Sequence, residues 1–269
     1  MTHAPWILIQ TVADAPEADM QLIKASAEKI GRRVHIIGLK QLYENDRLPV
    51  EPRAVVYGPA QAVVYACKTY GWLAWVDTAA QSCTRYYPAF GEHLVNADYI
   101  FVPIGDAARR WNWLTSLWPS EGGKLFVRPN DNQKSFAAEV MDCSDIVRLQ
   151  RVFDPDALIV VAPLKRLRRE WRCFMHHAQY LTGSLYRENG ESLRSSHVPP
   201  EVIEFANKMT ALRYEGLPPV WVVDVAETDD GLRVLEVAGC DSVGFYHSDC
   251  DLIVSTISRE ADNFYAISG

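Results

Sequence analysis

The sequence predicts two unlike parts, a small α/β domain on a parallel sheet followed by a larger α+β domain with antiparallel sheets. Three observations carry this expectation. Strand and helix signals alternate over the first hundred or so residues, the pattern of a parallel sheet with helices on its faces. After Gly123 the strands lengthen and hairpin signals appear. With 269 residues, 48% of them hydrophobic, the chain can bury roughly three quarters of its unfolded surface and build one large or two modest cores without disulfide or metal staples.

The elements follow in order. Residues 6–11 are a short apolar strand, and Asp14, Pro16 and Glu17 then read as the start of a helix, with Asp14 as cap. Met20, Ile23, Ala27 and Ile30 fall on one face of that helix, which Gly31 ends. Residues 34–39 and 54–57 are further strands, and Gly58-Pro59 opens a helix that runs to about Tyr70 and stops at Gly71. The pattern loosens between residues 85 and 125, where Trp111, Trp113 and Trp118 read as packing of a connecting segment rather than as a base-stacking platform. Beyond it, residues 124–128 and 158–163 are strands, and residues 170–187 are two strands meeting near His177. Residues 199–214 form a helix, with Pro199-Pro200 at its start and Val202, Phe205, Met209 and Leu212 on one face. Strands at 220–227 and 232–238 and a helix near 249–259 complete the chain. The expected division is 1–95 and 96–269.

Charge and motif content exclude several functions. Against 34 acidic residues stand 27 basic ones, a net −7, so a general phosphate-backbone binder is not expected and nucleic acid is set aside as a partner. No uncharged apolar run approaches the ~18 residues of a membrane span, and the first residues lack the basic region of a secretory signal. The six cysteines show no C-x-x-C pair and are expected as reduced thiols of a cytoplasmic protein rather than as zinc ligands or disulfides. The phosphate-binding glycine loop, the dinucleotide fingerprint and the nucleophile elbow are all missing.

The segment with chemistry is residues 220–246. Thr228-Asp229-Asp230-Gly231-Leu232 reads as a three-residue hairpin loop with Gly231 left-handed, and pairing Thr228 with Leu232 sets Asp224 directly opposite Glu236. Period-two alternation then puts Val222, Asp224 and Ala226 on the face shared by Leu232, Val234, Glu236 and Ala238. Two opposed carboxylates on an apolar face repel, so a cation belongs between them. Hard oxygen ligands of this kind suit Mg²⁺. Two alternatives stay open at this level: one carboxylate pairs with an internal arginine, or the register slips by one.

Two further groups of residues are candidates. Arg128 ends a strand and Lys134 follows the Asn130-Asp131-Asn132 turn, a pair able to clamp a polyphosphate or equally to be solvated loop charges. Lys165, Arg166, Arg168 and Arg169 form the one dense basic cluster, while Arg172 lies inside a strand between Trp171 and Cys173, where its charge must meet solvent or a polar site.

In this order, the strand ending in Arg128-Pro129-Asn130-Asp131 with Lys134-x-Phe136, then Glu170-Trp171-Arg172, then Val223 to Glu227, then Leu235-Glu236-Val237 through Asp241-Ser242-x-Gly244-Phe245-Tyr246, the chain resembles the ATP-grasp superfamily. It is most similar to the clade, common in bacteria and phages, in which Arg replaces the first nucleotide-binding Lys. The resemblance runs from about residue 95 to the end and implies an ATP-grasp fold of two α+β subdomains with antiparallel sheets, preceded by a small α/β domain. It further implies an ATP- and Mg²⁺-dependent carboxylate–amine ligase, ADP-forming, working through an acyl phosphate on an amino acid, peptide or small metabolite. By position, Arg128, Lys134 and Arg172 would contact phosphates, with Lys134 and Arg172 the catalytic cations. The stretch from residue 158 to Lys165, including Val161 and Pro163, would line the adenine pocket, and Asp224 and Glu236 would hold Mg²⁺. A homodimer is the default expectation.

The chain departs from the pattern where Ala238 replaces the Asn ligand usual two residues after the final Glu, and Asp241 is expected to supply the missing oxygen. A second departure is His177-Ala178, where relatives tend to have Gly. The alternative reading is a non-catalytic ATP-binding protein for regulation or assembly.

Overall fold

The computed structural model describes residues 3–11, 18–75, 79, 81–118, 121–131, 135–212 and 216–267. Its leading part runs β1 (Trp6–Gln10), α1 (Ala18–Lys29), β2 (Val34–Gly38), α2 (Leu39–Glu44), β3 (Val55–Tyr57) and α3 (Ala60–Tyr70). The strands form a parallel sheet in the order β2-β1-β3. Trp6, Ile7, Leu8 and Ile9 are all buried, because the central strand of a parallel sheet is covered on both faces. On α1, Met20, Ile23 and Ala27 face the core. Ile30, expected to join them, is exposed, since the helix ends at Lys29 and Gly31 turns left-handed at φ 77. The expected start signal at Asp14, Pro16 and Glu17 lies outside the described residues. Helix α3 ends as expected: Gly71 sits at φ 69 and donates its N–H to Cys67 O.

A smaller antiparallel sheet follows α4 (Cys83–Phe90) and contains β4 (Ile100–Pro103), β5 (Leu125–Pro129), β6 (Glu139–Met141) and β7 (Leu158–Ala162), in the order β4-β7-β5-β6. Helices α5 (Ile104–Arg109), α6 (Trp111–Leu117) and α7 (Cys143–Val152) cover its outer face. Trp111 packs in that core and donates Nε1–H to Gly123 O, whereas Trp113 points to solvent. Helix α7 is opened by a reciprocal cap between Asp142 and Asp145.

The larger sheet, order β10-β9-β8-β11-β12, is built from β8 (Arg169–His176), β9 (Gln179–Glu188), β10 (Glu191–Ser195), β11 (Val220–Thr228) and β12 (Gly231–Gly239), with α8 (Pro200–Thr210) between β10 and β11. Both its faces are covered. Phe174, Val220, Val222 and Ala238 pack with β1, α1 and α9 (Cys250–Ile267). Cys173, Met175, Trp221, Val223 and Val225 pack with residues of α4 and α8. Helix α9 extends well past residue 259 because its far end still has partners: Arg32 pairs with Asp262, and Tyr265 OH donates to Ala54 O. One core therefore joins the leading sheet, the larger sheet and the last helix.

Candidate functional site

Strands β11 and β12 set Asp224 opposite Glu236, although the register reaches that pairing by a different route. Thr228 pairs with Gly231 rather than Leu232, while Gly231 takes the expected left-handed conformation, φ 97. The resulting one-residue slip is cancelled by a bulge, since Val225 pairs with Val234 and Asp224 with Glu236, leaving Leu235 as the extra residue. The bulge also corrects the face assignment. Val234 packs with Val223 and Val225 on the far face, while Leu235 and Glu236 both face the cleft.

Across the sheet the register makes a row: Ser184 on β9, Arg172 on β8, Asp224 on β11 and Glu236 on β12. The repulsion between the two carboxylates is relieved from both sides. Arg172 grips Asp224 with a fork, Nε to Oδ1 at 2.9 Å and Nη2 to Oδ2 at 2.7 Å, and donates Nη1 to Gly244 O at 3.0 Å. The rings of Tyr186 and Tyr246, stacked at 5.0 Å with 10° between planes, lie against the same guanidinium. Burial works against the Arg172 charge, but Asp224 outweighs it and holds the group above its ordinary value. From the smaller sheet, Arg128 Nη2 reaches Glu236 Oε1 at 2.9 Å, and its buried Nε has no partner among the described residues. So the first alternative, a carboxylate paired with an internal arginine, is realised at both positions.

The two sheets enclose a cleft of about 370 Å³ lined by Phe126, Arg128, Asp131 and Phe136 on one side and by Glu170, Arg172, Tyr186, Arg187, Asp224 and Glu236 on the other. Glu170 lies two residues before Arg172 and so on the same face; Tyr186 OH donates to it at 2.9 Å. Burial raises the Glu170 carboxyl above its ordinary value, opposed by the Tyr186 bond and by Arg187. Period two along β8 would have found Glu170. Tyr186 and Tyr246 carry no such signal, the first because β9 shifts register against β8 and the second because it sits in a loop.

The remaining sequence-predicted residues fare differently. Lys134 lies outside the described residues. Val161 does not line the cleft: it pairs with Val127, and both side chains enter the core under the smaller sheet, whereas Phe126 and Arg128 alternate to the cleft face. Pro163 follows β7 and is half-buried without lining the cleft, and Lys165 pairs with Asp98 at 3.0 Å. Leu167 lines the cleft instead. Arg168 and Arg169 pair with Asp229 and Glu227.

Asp241 is a correction, because it is turned away from the cleft. Its Oδ1 accepts from Trp75 N–H at 3.1 Å, its own carbonyl accepts from Gly58 N–H at 3.0 Å, and Oδ2 is buried with no partner among the described residues. Burial raises its carboxyl to about 7. The residue fastens the end of β12 to the leading domain, and a side chain on neighbouring Gly239 would collide with Trp75 O at 2.8 Å. Ala238, also buried, contributes a methyl to the core and no oxygen ligand.

A family model for an ATP-grasp domain, family 2 of the clade with Arg in place of Lys, matches residues 108–254, more than half of the chain. No curated protein matches the sequence. Among solved structures, the chain is similar to the D-cycloserine synthetase DcsG, with TM-score 0.68 and 14% identity over 96% of this chain and 100% of that one. It is also similar to a D-alanine–D-alanine ligase from Bacillus anthracis, with TM-score 0.61 and 15% identity over 99% and 100%. The ATP-grasp ligase PsnB complexed with a minimal precursor aligns with TM-score 0.57 and 13% identity over 96% and 100%. At these identities the likeness is one of fold.

Proposed function

Because the chain belongs to the ATP-grasp superfamily, in the clade with Arg in place of Lys, we propose that it is an ATP-dependent carboxylate–amine ligase whose two sheets hold the nucleotide in the cleft around Arg128, Arg172, Asp224 and Glu236. The observation that carries this reading is the row of opposite charges with one gap in it. Arg128 bridges the cleft to Glu236 by a single bond and keeps a buried N–H unpartnered among the described residues. A guanidinium so placed is ready to receive a phosphate oxygen through a second hydrogen bond.

The carboxylates fit Mg²⁺ as hard oxygen donors. A carboxylate offers about four lone-pair positions, so the fork from Arg172 does not exhaust Asp224. When bound, the ion would neutralise phosphate charge and polarise the transferred phosphoryl group. Arg172, fixed by Asp224, Gly244 and two tyrosine rings, would present Nη atoms to the transferred group without reorganisation. Arg128 would exchange its bond to Glu236 for the polyphosphate. Phe126 and Leu167 would give the nucleotide base an apolar wall, and Lys134, by its place in the family pattern, a further phosphate contact.

In the reaction, a carboxylate oxygen of the substrate attacks the γ-phosphorus and ADP leaves. An amine nitrogen then attacks the acyl carbon, loses a proton, and phosphate departs with one former carboxylate oxygen. Enclosure between the sheets keeps water from the acyl phosphate. Residues 1–95 are proposed as the domain preceding the ATP-grasp module of 96–269, and substrates as amino acids, peptides or small metabolites.

The test is ADP release with pooled amino acids and amines, followed by transfer of ¹⁸O from labelled carboxylate to phosphate. Label in phosphate supports the ligase. ATP binding without turnover in any pool favours the non-catalytic alternative.

A further inference from the structure

Away from the cleft, the turn between β8 and β9 brings two imidazoles to one carboxylate on α9. His176 Nε2 lies 2.9 Å from Glu260 Oε1 and His177 Nε2 lies 3.8 Å from the same oxygen. One ligand atom from each residue falls within 4.8 Å of the other two. Around a tetrahedral Zn²⁺ with bonds near 2.05 Å, neighbouring ligand atoms stand about 3.3 Å apart, and the two observed separations bracket that value. Only His176 is within hydrogen-bonding distance of that oxygen, so a proton joins just one of the two imidazoles to Glu260. Arg259, at 4.0 Å, is beyond hydrogen-bonding reach of Glu260.

The backbone supplies a second observation. His177 has φ 51, a left-handed conformation that glycine adopts freely and a residue with a Cβ adopts only at a cost. The turn is held there by His177 N–H to Pro219 O at 2.7 Å and by Trp221 Nε1–H to His177 O at 3.0 Å. The held turn keeps the His177 imidazole at the side of Glu260. His177 and Glu260 also line a pocket of about 410 Å³, together with Trp75, Leu217 and Asn263, with room for a water as fourth ligand.

We propose that His176, His177 and Glu260 form a Zn²⁺ site with an open fourth position, tying the β8–β9 turn to the last helix. Two nitrogen donors and one carboxylate select Zn²⁺ over Mg²⁺, so this site is distinct from the cleft and does not depend on the ligase reading.

The experiment is calorimetric titration of the metal-free full chain with Zn²⁺, with Mg²⁺ as control, alongside the visible spectrum of the Co²⁺ form. Expected are one Zn²⁺ per chain, a higher Tm on binding, and tetrahedral Co²⁺ bands without a thiolate charge-transfer band. His177→Asn, which tolerates the left-handed backbone, and Glu260→Gln should each weaken binding by more than the roughly 10- to 100-fold typical of losing an outer partner. No stoichiometric Zn²⁺ binding, unchanged affinity in both variants, or a thiolate band placing the ion on cysteines would each overturn the proposal.

Discussion

Arg172–Asp224 and Arg128–Glu236 are both ion pairs at the same cleft, yet they are held by different numbers of bonds and from different sheets. The first lies wholly within the larger sheet, on adjacent strands in register, with 8% and 4% of the two side chains exposed. It has a two-bond fork, a third bond to Gly244 and two aromatic walls. The second spans the two sheets by one bond, with Glu236 23% exposed. A guanidinium held at all three of its nitrogens serves as a frame. One with a spare buried donor and a part-solvated partner can be exchanged for a ligand.

The sharpest way to break this contrast is Asp224→Ala, which strands a buried guanidinium. We expect a loss of about 3–5 kcal/mol in urea unfolding; an unchanged midpoint would remove the frame from the account. Arg128→Gln should cost less, about 1.5 kcal/mol, since a single charge-assisted bond is lost, and should weaken ATP binding at least ~10-fold by fluorescence titration. Equal stability losses with unchanged ATP affinity would show that the two pairs play the same part.

Asp241 extends the comparison to a buried carboxylate with no arginine. Its pKa of about 7 in the folded chain exceeds the ordinary 3.8, so the native state binds the extra proton between those values. This contribution to stability is complete below pH ~4 and lost as pH rises through about 7, with a slope of at most ~1.4 kcal/mol per pH unit. Asp241→Asn should flatten that slope in unfolding measured from pH 4 to 8. The smallest expected effect is that of Tyr186→Phe. It removes the bond to Glu170 at about 1 kcal/mol but leaves the ring beside Arg172, so stability should fall while ATP affinity holds.

Much of the frame was legible because it is local. Gly71 ended α3 where its conformational freedom predicted, and β8 and β9 meet at His177. Strands β6 and β10, both largely exposed, carried no period-two apolar pattern to read. The place of Val161 in the chain points to the cleft, but one step of alternation along β7 turns its side chain into the core.

Local chemistry reached the family, most of the longer strands and a hairpin that brings Asp224 and Glu236 together, since turn chemistry and strand period act over a few residues. The cations that answer those carboxylates were set by packing across the sheets. Arg172 is 52 positions from Asp224 and Arg128 is 108 from Glu236, distances over which local patterning says nothing. Packing also decided that Leu235 bulges and that Asp241 turns toward Trp75 rather than the cleft. These outcomes depend on how whole sheets face one another, and that is set by burying both faces of the larger sheet at once.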